Sequence, residues 1–221
     1  MKRREFMLSV GGAAALYSPL GARAQRGARM PRVGVLWHAT RAEEEKGPLI
    51  MFRRALKAAG HVEGENISVE YRFPNEEPAL FKQYAEELAA LKPDVLATVT
   101  RPAAVAMTRA TKTIPIVFIV VPDPIGSHIV DSLARPQGNV TGLSTMAVEL
   151  TPKRIEILKE TIPNLSRVAL IVNMSDPDGA QRYIEVAREA SKPLDVTVEN
   201  FEVREARDFE GVFERISDTR Q

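Results

Sequence analysis

The sequence predicts an α/β protein built on parallel β-sheets, and three observations lead to this prediction. Short apolar runs rich in β-branched residues alternate along the chain with longer segments in which apolar residues recur at helical spacing. One of these runs, residues 115–121, is almost purely apolar, as expected of a strand buried on both faces. The alternation restarts near Thr151, which indicates a second α/β set. Strands that alternate with helices favour parallel sheets covered on both faces.

The first predicted strand covers residues 32–37, a short apolar run that reads Arg-Val-Gly-Val-Leu-Trp. A loop separates it from a helix over 49–59, in which Phe52 and Leu56 fall on one side at helical spacing. Gly60 suits the end of that helix because glycine tolerates the positive φ of a C-terminal cap.

Residues 67–72 alternate between apolar and polar side chains and predict the second strand. The next element is a helix over 79–91, where leucines and a tyrosine recur at helical spacing. Pro93 ends this helix because proline cannot continue it, and residues 95–99 predict the third strand.

Proline suits the first turn of a helix, so the run Thr100-Arg101-Pro102 predicts the start of the next helix. The apolar run 115–121 predicts the fourth strand, and residues 125–134 predict a short helix after it. A turn that contains proline and glycine then leads into a further extended segment over 140–143.

The second α/β set has fewer strands than the first. A two-stranded sheet leaves apolar edges uncovered, and no strand follows the last predicted helix to pack against its apolar side. We therefore expect the second lobe to be incomplete. Its predicted helices cover 151–161, 175–191 and 208–216, and its predicted strands cover 168–172 and 196–203.

The first 24 residues have the three parts of a secretory signal. A basic head is followed by a short apolar core over 8–16 and by the small-residue site Ala22-Arg23-Ala24. The core is about half of the roughly 20 apolar residues that a membrane span needs. The Arg3-Arg4 pair resembles a twin-arginine signal. We expect cleavage near Ala24, a periplasmic location and no insertion into the membrane.

Charge and cysteine content exclude several classes of protein. The chain has 30 basic and 29 acidic residues, and removing a signal with four basic residues and Glu5 leaves 26 and 28, a net charge of −2. Such a surface does not favour binding to nucleic acid or to an anionic membrane. The chain has no cysteine, which excludes disulfides, thiolate metal sites, cysteine nucleophiles and a cysteine-linked lipid anchor. We expect a freely diffusing monomer.

Candidate ligand-binding residues follow from the predicted sheets. In open parallel sheets, ligands bind beyond the carboxyl ends of the strands, so the loops that follow the strands supply the candidates. The relevant loops follow the first, third and fourth strands of the first set and the first strand of the second set. The candidate ligand-binding residues are Trp37, His38, Thr40, Thr100, Arg101, Val121, Asp123, Asn173 and Ser175.

Some of these side chains suggest a role, and each role has a structural alternative. The free amides at the start of a helix favour anions, so Thr100 and Arg101 are candidates to hold a ligand carboxylate. Asp123 suits a ligand amine or hydroxyl, and Trp37 suits stacking on an apolar group. Thr100 and Ser175 are equally suited to cap helices. Asp123 between two prolines is equally suited to a turn, and Trp37 to a core position.

The sequence lacks the motifs that enzymes of this architecture use. It has no Gly-x-Ser-x-Gly nucleophile elbow, and no phosphate loop or dinucleotide fingerprint follows the first strand. The three histidines, His38, His61 and His128, are not at metal-ligand spacing. The sequence therefore predicts a binding protein that is not an enzyme and uses no metal or cofactor.

Several stretches resemble the ABC-transporter substrate-binding proteins of the tryptophan/tyrosine-type group. The most specific covers residues 114–127, which include Asp-Pro-Ile-Gly-Ser, and it continues through 132–142. The resemblance covers nearly all of the chain from Arg32 onward. The other resembling stretches are residues 32–37, 60–72 and 165–169.

The resemblance implies the type I periplasmic binding protein fold, with two Rossmann-like, doubly wound parallel-sheet lobes joined by crossing strands. On this interpretation residues 30–145 form the N-terminal lobe and 146–221 a partial C-terminal lobe, and the first crossing covers 140–145. The resemblance also implies capture of a small solute, an amino acid or an aromatic acid, between the lobes and its delivery to ABC permease subunits.

Two departures from the family pattern bear on function. Members of the group have Gly-Thr-Pro where this chain has Thr100-Arg101-Pro102, so we expect either an anionic ligand or an Arg101 that faces away from the cleft. Members also continue further than this chain. Three alternatives stay open at this point: a ligand sensor for a membrane receptor, a periplasmic α/β enzyme with an unrecognised nucleophile–base pair, and a shortened product that does not function.

Overall fold

Five parallel strands form the larger sheet of the computed structural model, which describes residues 29–136 and 138–218. Their order across the sheet is β2-β1-β3-β4-β5, so the direction of chain progression reverses between β1 and β3. In doubly wound sheets, this switch point opens a crevice at the carboxyl ends of the strands. The strands are β1 (Arg32–Leu36), β2 (Ser68–Arg72), β3 (Val95–Val99), β4 (Ile116–Val121) and β5 (Val140–Ser144).

Three helices cover both faces of this sheet. On one face, Leu49 of the first helix shares a buried cluster with Val35 of β1. On the other face, Leu88 and Met107 of the second and third helices share a larger cluster with Phe118 of β4. Because both faces are covered, the inner strands β3 and β4 are almost wholly apolar, whereas the edge strands β2 and β5 also carry polar residues. The helices are α1 (Lys46–Ala58), α2 (Pro78–Ala90) and α3 (Arg101–Ala110).

A second, smaller sheet contains two parallel strands among the described residues. Their register is unbroken from Arg167 opposite Thr197 to Asn173 opposite Val203. Three helices accompany them, and the last buries Val212 completely. The strands are β6 (Arg167–Asn173) and β7 (Thr197–Val203), and the helices are α4 (Thr151–Thr161), α5 (Pro177–Ser191), with a 3₁₀ turn at Lys192–Leu194, and α6 (Asp208–Asp218).

Both sheets belong to one compact unit, Arg32–Gln221. We call residues 32–145 lobe one and residues 146–218 lobe two. Met1–Pro31 form a separate unit, and the predicted signal over 1–24 lies outside the described residues. In the part of the chain that the structure describes, no helix combines the length and apolar character needed to cross a bilayer.

The predicted α/β class with parallel sheets is confirmed, and the strand ends agree with the prediction to within one residue. The short helix predicted over 125–134 is wrong, because this segment consists of turns and bends. The reason is local: Asp123 and His128 adopt positive φ values of 43° and 54°, and the Asp123 carboxylate accepts a hydrogen bond from the Gly126 amide. These turns stop a helical hydrogen-bond ladder from forming.

Candidate functional site

Strained backbone marks the carboxyl edge of the larger sheet. Non-glycine residues with positive φ follow within three residues of four strands: Asn75 after β2 (55°), Thr100 after β3 (77°), Asp123 after β4 (43°) and Met146 after β5 (50°). Each such residue costs about 1–3 kcal/mol, and such costs concentrate at functional sites. The edge that the sequence predicts as the ligand site is therefore also where the fold is most strained.

The loops after β1 and β2 are joined by polar contacts. His38 Nδ1 donates to Glu76 Oε1 at 2.8 Å, and the Glu76 amide donates to the His38 carbonyl at 2.9 Å. Thr40 Oγ1 donates to Asn75 Oδ1. The hydrogen bond to Glu76 raises the pKa of His38 above its ordinary value, although partial burial opposes it. The structure thus uses His38 and Thr40 to tie two loops together at this edge.

Trp37 lies inside lobe one. Its side chain is only 3% exposed, and its indole ring stacks on His38 at 6.4 Å between centroids and meets Phe52 edge-on. The indole Nε1 is buried without a hydrogen-bond partner among the described residues. As placed, the ring has no free face for a ligand, which favours the alternative that Trp37 is a core residue.

Thr100 joins β3 to α3 in an unusual way. With φ 77° and ψ 163° it precedes the helix, yet its side chain makes no capping hydrogen bond. Its Oγ1 is buried and has no partner within the described residues. The capping alternative for Thr100 therefore does not hold. A buried hydroxyl without a partner, on a strained residue at the sheet edge, is suited to a ligand's polar group.

Arg101, the first residue of α3, contacts lobe two. Its Nε donates to Asp176 Oδ2 at 2.7 Å, and its Nη2 donates to Asp176 Oδ1. Its side chain is 13% exposed, and the hydrogen bond that it donates to Asp176 raises the pKa of Arg101. The expectation that Arg101 either binds an anionic ligand or faces away from the cleft stays a prediction, and the carboxylate that Arg101 holds in this structure belongs to the protein itself.

Asp123 is both a turn residue and an interlobe partner. Its Oδ1 accepts from the Gly126 amide at 2.8 Å, which agrees with the turn alternative. Its Oδ2 accepts from Arg182 Nε at 3.1 Å, and Arg182 belongs to α5 of lobe two. The carboxylate predicted to receive a ligand amine thus receives a guanidinium from the opposite lobe.

The remaining candidates take local roles. The amide and hydroxyl of Ser175 both donate to Asn173 Oδ1, at 2.9 and 2.8 Å. The cap of α5 is Asp176, whose side chain accepts from the Gly179 amide, so Ser175 does not cap this helix. Val121 is fully buried at the end of β4.

A cavity of about 770 Å³ lies where the two lobes meet. Its volume is within the range of small-molecule sites, about 300–1,000 Å³. Of the nine candidate residues, it brings together Arg101, Asp123 and Ser175, and it does not include the other six. Asn173 instead lines a second cavity of about 500 Å³ in lobe two. Further lining residues of the interlobe cavity are Phe81, Pro102, Val105, Asp176, Arg182 and Tyr183.

Apart from Ser175, the residues that lobe two contributes to this cavity are not among the nine candidates from the sequence. Asp176 carries a usable signal, since Asp-Pro-x-Gly occurs at 176–179 as it does at 123–126. Arg182 and Tyr183 are ordinary helix residues in sequence, and no motif marks them. Among the described residues no group of three or more potential ligands is arranged to hold a metal ion.

Two successive parallel α/β units with a ligand-sized cavity between them define a two-lobed solute-binding architecture. The sequence matches the family described as ABC transporter substrate binding protein over residues 35–221. The chain therefore belongs to that family, and the expected type I periplasmic binding protein fold is confirmed by its structural relatives.

Relatives with a name or a solved structure support the same assignment. A tyrosine-binding protein from Clostridioides difficile (strain R20291) is 30% identical over 126 residues, which is 57% of this chain and 36% of that protein. A conserved domain protein from Vibrio cholerae O1 biovar El Tor superimposes with a TM-score of 0.74 at 27% identity, covering 86% of this chain and 63% of the other.

Two more distant structures contain ligands. The ABC domain from Streptococcus pneumonia in complex with L-Trp has a TM-score of 0.67 at 20% identity, covering 86% of this chain and 63% of that one. A solute binding protein from Rhodopseudomonas palustris BisB5 in complex with 3,4-dihydroxybenzoic acid has a TM-score of 0.62 at 20% identity, with 86% and 52% coverage. The chain thus spans about a third of the curated relative and less than two thirds of these structures.

Proposed function

We propose that this protein binds a small-molecule solute, an amino acid or an aromatic acid, between its lobes and presents it to the permease subunits of an ABC importer. The observation that carries the proposal is the interlobe cavity of about 770 Å³, to which both lobes contribute charged and apolar side chains. The names of the relatives point the same way, since they include a tyrosine-binding protein and complexes with L-Trp and 3,4-dihydroxybenzoic acid.

The chemistry of the cavity suits such a solute. Phe81, Val105 and Tyr183 provide apolar surface for a side chain or a ring. Thr100 does not line the cavity but directly precedes Arg101, which does, and we propose its orphaned hydroxyl as a contact for a ligand carboxylate or amine in a ligand-bound form. We also propose contacts from the remaining sequence-predicted residues: His38, Thr40 and Asn173, and, where binding rearranges the sheet edge, the buried Trp37 and Val121.

Binding between the lobes also provides a way for the permease to distinguish solute-loaded protein from empty protein. A solute that contacts both lobes binds the closed arrangement more tightly than the open one, and it shifts the population by that difference in affinity. A permease that recognises the closed arrangement then receives loaded protein. No bond is made or broken in this role, so the protein needs neither catalytic residues nor a cofactor.

The location follows from the predicted signal. We propose export to the periplasm by a twin-arginine signal over residues 1–24, with cleavage near Ala24. N-terminal sequencing of the exported protein tests this point, and an unprocessed Met1 in the periplasmic fraction would contradict it.

A thermal-shift screen of the purified chain tests solute binding. The compounds are L-Trp, L-Tyr, other amino acids and 3,4-dihydroxybenzoate, with simple sugars as negative controls. At 100 times the dissociation constant a ligand adds about 2.7 kcal/mol of stability, and for a chain of this size that raises the melting temperature by roughly 5–10 °C. The absence of a shift with every amino and aromatic acid would overturn the proposal.

A matched pair of variants tests the site. Thr100→Val removes the orphaned hydroxyl but keeps a β-branched side chain, so the backbone strain is similar. Thr98→Val removes another buried hydroxyl without a partner, from inside β3. We expect the ligand-induced shift to fall in Thr100→Val and to stay unchanged in Thr98→Val. Equal shifts in the two variants would remove Thr100 from the site.

A further inference from the structure

The tetrapeptide pattern Asp-Pro-x-Gly occurs once in each lobe, in a turn at 123–126 and at the start of α5 at 176–179, and the two copies share one hydrogen bond. In lobe one the Asp123 carboxylate accepts from the Gly126 amide at 2.8 Å. In lobe two the Asp176 carboxylate accepts from the Gly179 amide at 3.2 Å. The two turns thus present one carboxylate each at the side of the lobe that faces the other lobe.

A side chain at the fourth position of either turn would displace the aspartate carboxylate. A Cβ on Gly126 would lie 2.1 Å from Asp123 Oδ2, and a Cβ on Gly179 would lie 2.3 Å from Asp176 Oδ2. The carboxylates therefore sit directly over a bare backbone, and any side chain there would push them away. Both carboxylates are held in place before they meet a partner, which reduces the entropy cost of the contact they make.

Each carboxylate then pairs with an arginine of the opposite lobe. Asp176 of lobe two receives Nε of Arg101 from lobe one at 2.7 Å, with a second bond from Nη2. Asp123 of lobe one receives Nε of Arg182 from lobe two at 3.1 Å. Each lobe supplies one cation and one anion, so the two pairs are reciprocal.

The two pairs differ in strength. The Arg101 side chain is 13% exposed and binds with two nitrogens, the geometry of a strong charge-assisted pair. Its Nη2 also lies 3.6 Å from Asp178. The Arg182 side chain is 50% exposed and binds through one nitrogen, so solvent screens its pair more. All four residues of the two pairs line the interlobe cavity, which remains open with both pairs formed.

We propose that these two reciprocal pairs form an interlobe clasp, Arg101–Asp176 with Asp123–Arg182, that positions the lobes for solute capture and stabilises their closed arrangement without occupying the solute's place. The role of the clasp in solute capture rests on the proposed solute-binding function. Its formation is a property of the ligand-free protein and is measurable on its own.

A clasp of this kind makes lobe closure sensitive to salt. The screening length falls from about 30 Å at 0.01 M to about 3 Å at 1 M ionic strength. Closure, and with it the affinity for solute, therefore declines as salt rises, even for a zwitterionic solute with no net charge. Because salt screens partly buried pairs less, we expect the salt-dependent part of the clasp to come mostly from the exposed Arg182 pair, and Arg101 to contribute more of its strength at any salt concentration.

Interlobe distance in the full chain, measured without ligand, tests the clasp. The chain has no cysteine, so Lys57→Cys in lobe one and Glu160→Cys in lobe two allow specific spin labelling at two exposed positions. Pulsed electron–electron double resonance then gives the distribution of distances between the two spin labels. The unmodified clasp should give one narrow distribution at low salt that broadens toward longer distances at about 1 M salt.

Variants that remove the cations while keeping the Asp-Pro-x-Gly turns complete the test. Arg101→Gln combined with Arg182→Gln should broaden the distribution at low salt and remove its salt dependence. Arg167→Gln is the matched control, because it breaks the 2.6 Å pair with Glu199 inside lobe two. An unchanged distribution in the double variant, or an equal change in the control, would overturn the clasp.

Affinity measurements separate this inference from the proposed function. With any solute that binds in the screen, Arg101→Gln should weaken binding about tenfold at low salt, and high salt should reduce this difference only in part because the pair is partly buried. If the distance measurements support the clasp but no solute binds in the screen, the proposed function is overturned and the clasp is not. Solute binding that the double variant leaves unchanged would overturn the clasp alone. Circular dichroism of each variant, if it showed loss of fold, would assign the effect to unfolding and count against the clasp.

Discussion

Replacing Gly142 with alanine should disrupt the strand that leads from lobe one to lobe two. Gly142 lies in β5 and pairs with Phe118 of β4, next to a shift in register. A Cβ at this position would lie 2.2 Å from the Phe118 carbonyl oxygen and 2.5 Å from the Phe118 ring. Neither neighbour can move easily, because one is backbone and the other is a ring only 1% exposed.

The size of the effect follows from the clash. To bring the 2.2 Å approach out to even 3.0 Å, the two strands must separate by about 0.8 Å. Overpacking of this kind costs about 1–3 kcal/mol, and we expect the upper part of that range because a backbone carbonyl of the neighbouring strand is involved. With a urea dependence of about 2 kcal/mol per molar, the unfolding midpoint should fall by roughly 1 M.

Urea unfolding followed by circular dichroism and by Trp37 fluorescence measures this change. Gly47→Ala is the matched control, because no atom lies within 4 Å of the added Cβ and the residue is in α1. Alanine there should be neutral or stabilising by up to about 1 kcal/mol. Equal stability of Gly142→Ala and the wild type would refute the steric argument, and so would an equal loss in Gly47→Ala.

Three further predictions concern lobe one. Leu88→Ala should lower the free energy of unfolding by about 2–5 kcal/mol, measured by urea, because Leu88 is fully buried; a loss below about 1 kcal/mol would contradict this. Thr98→Val should leave stability unchanged or raise it, since the buried hydroxyl has no partner among the described residues; a clear loss in thermal unfolding would reveal one. The pKa of His38 is raised by Glu76, so its stabilisation is complete below about 6.5 and is lost as pH rises through the raised pKa; Glu76→Gln should flatten this decline in urea midpoints between pH 6 and 8, and an unchanged slope would contradict it.

The strands were predictable because their signal is local. The run at 115–121 is apolar without interruption, and a strand buried on both faces requires that composition whatever its neighbours are. The start of α3 was predictable in the same way, since Pro102 suits a first helical turn. The predicted alternation also implied coverage of both faces of the larger sheet, which α1 on one side and α2 with α3 on the other provide.

The predictions of helices and caps fail where a side chain forms a hydrogen bond with a backbone amide that the predicted structure did not include. Residues 125–134 have the composition of a short helix, but the Asp123 carboxylate binds the Gly126 amide and forms a turn instead. Thr100 and Ser175 precede helices and have capping side chains, yet neither acts as a cap. Asp176 takes that role for α5, because its carboxylate reaches the Gly179 amide.

The candidate site was also predictable only in part. Sequence patterns located the sheet edge, because strand ends are local and parallel strands end on the same side. They did not reveal that Arg101 meets Asp176, 75 residues away, or that Asp123 meets Arg182, 59 residues away. Nor did they decide between a ligand contact and a core position for Trp37, which the folded chain places in the core. Periodicity and turn chemistry depend on neighbours within a few residues. Which charges face each other across the lobes depends on how two separately built sheets pack, and that arrangement exists only in the folded chain.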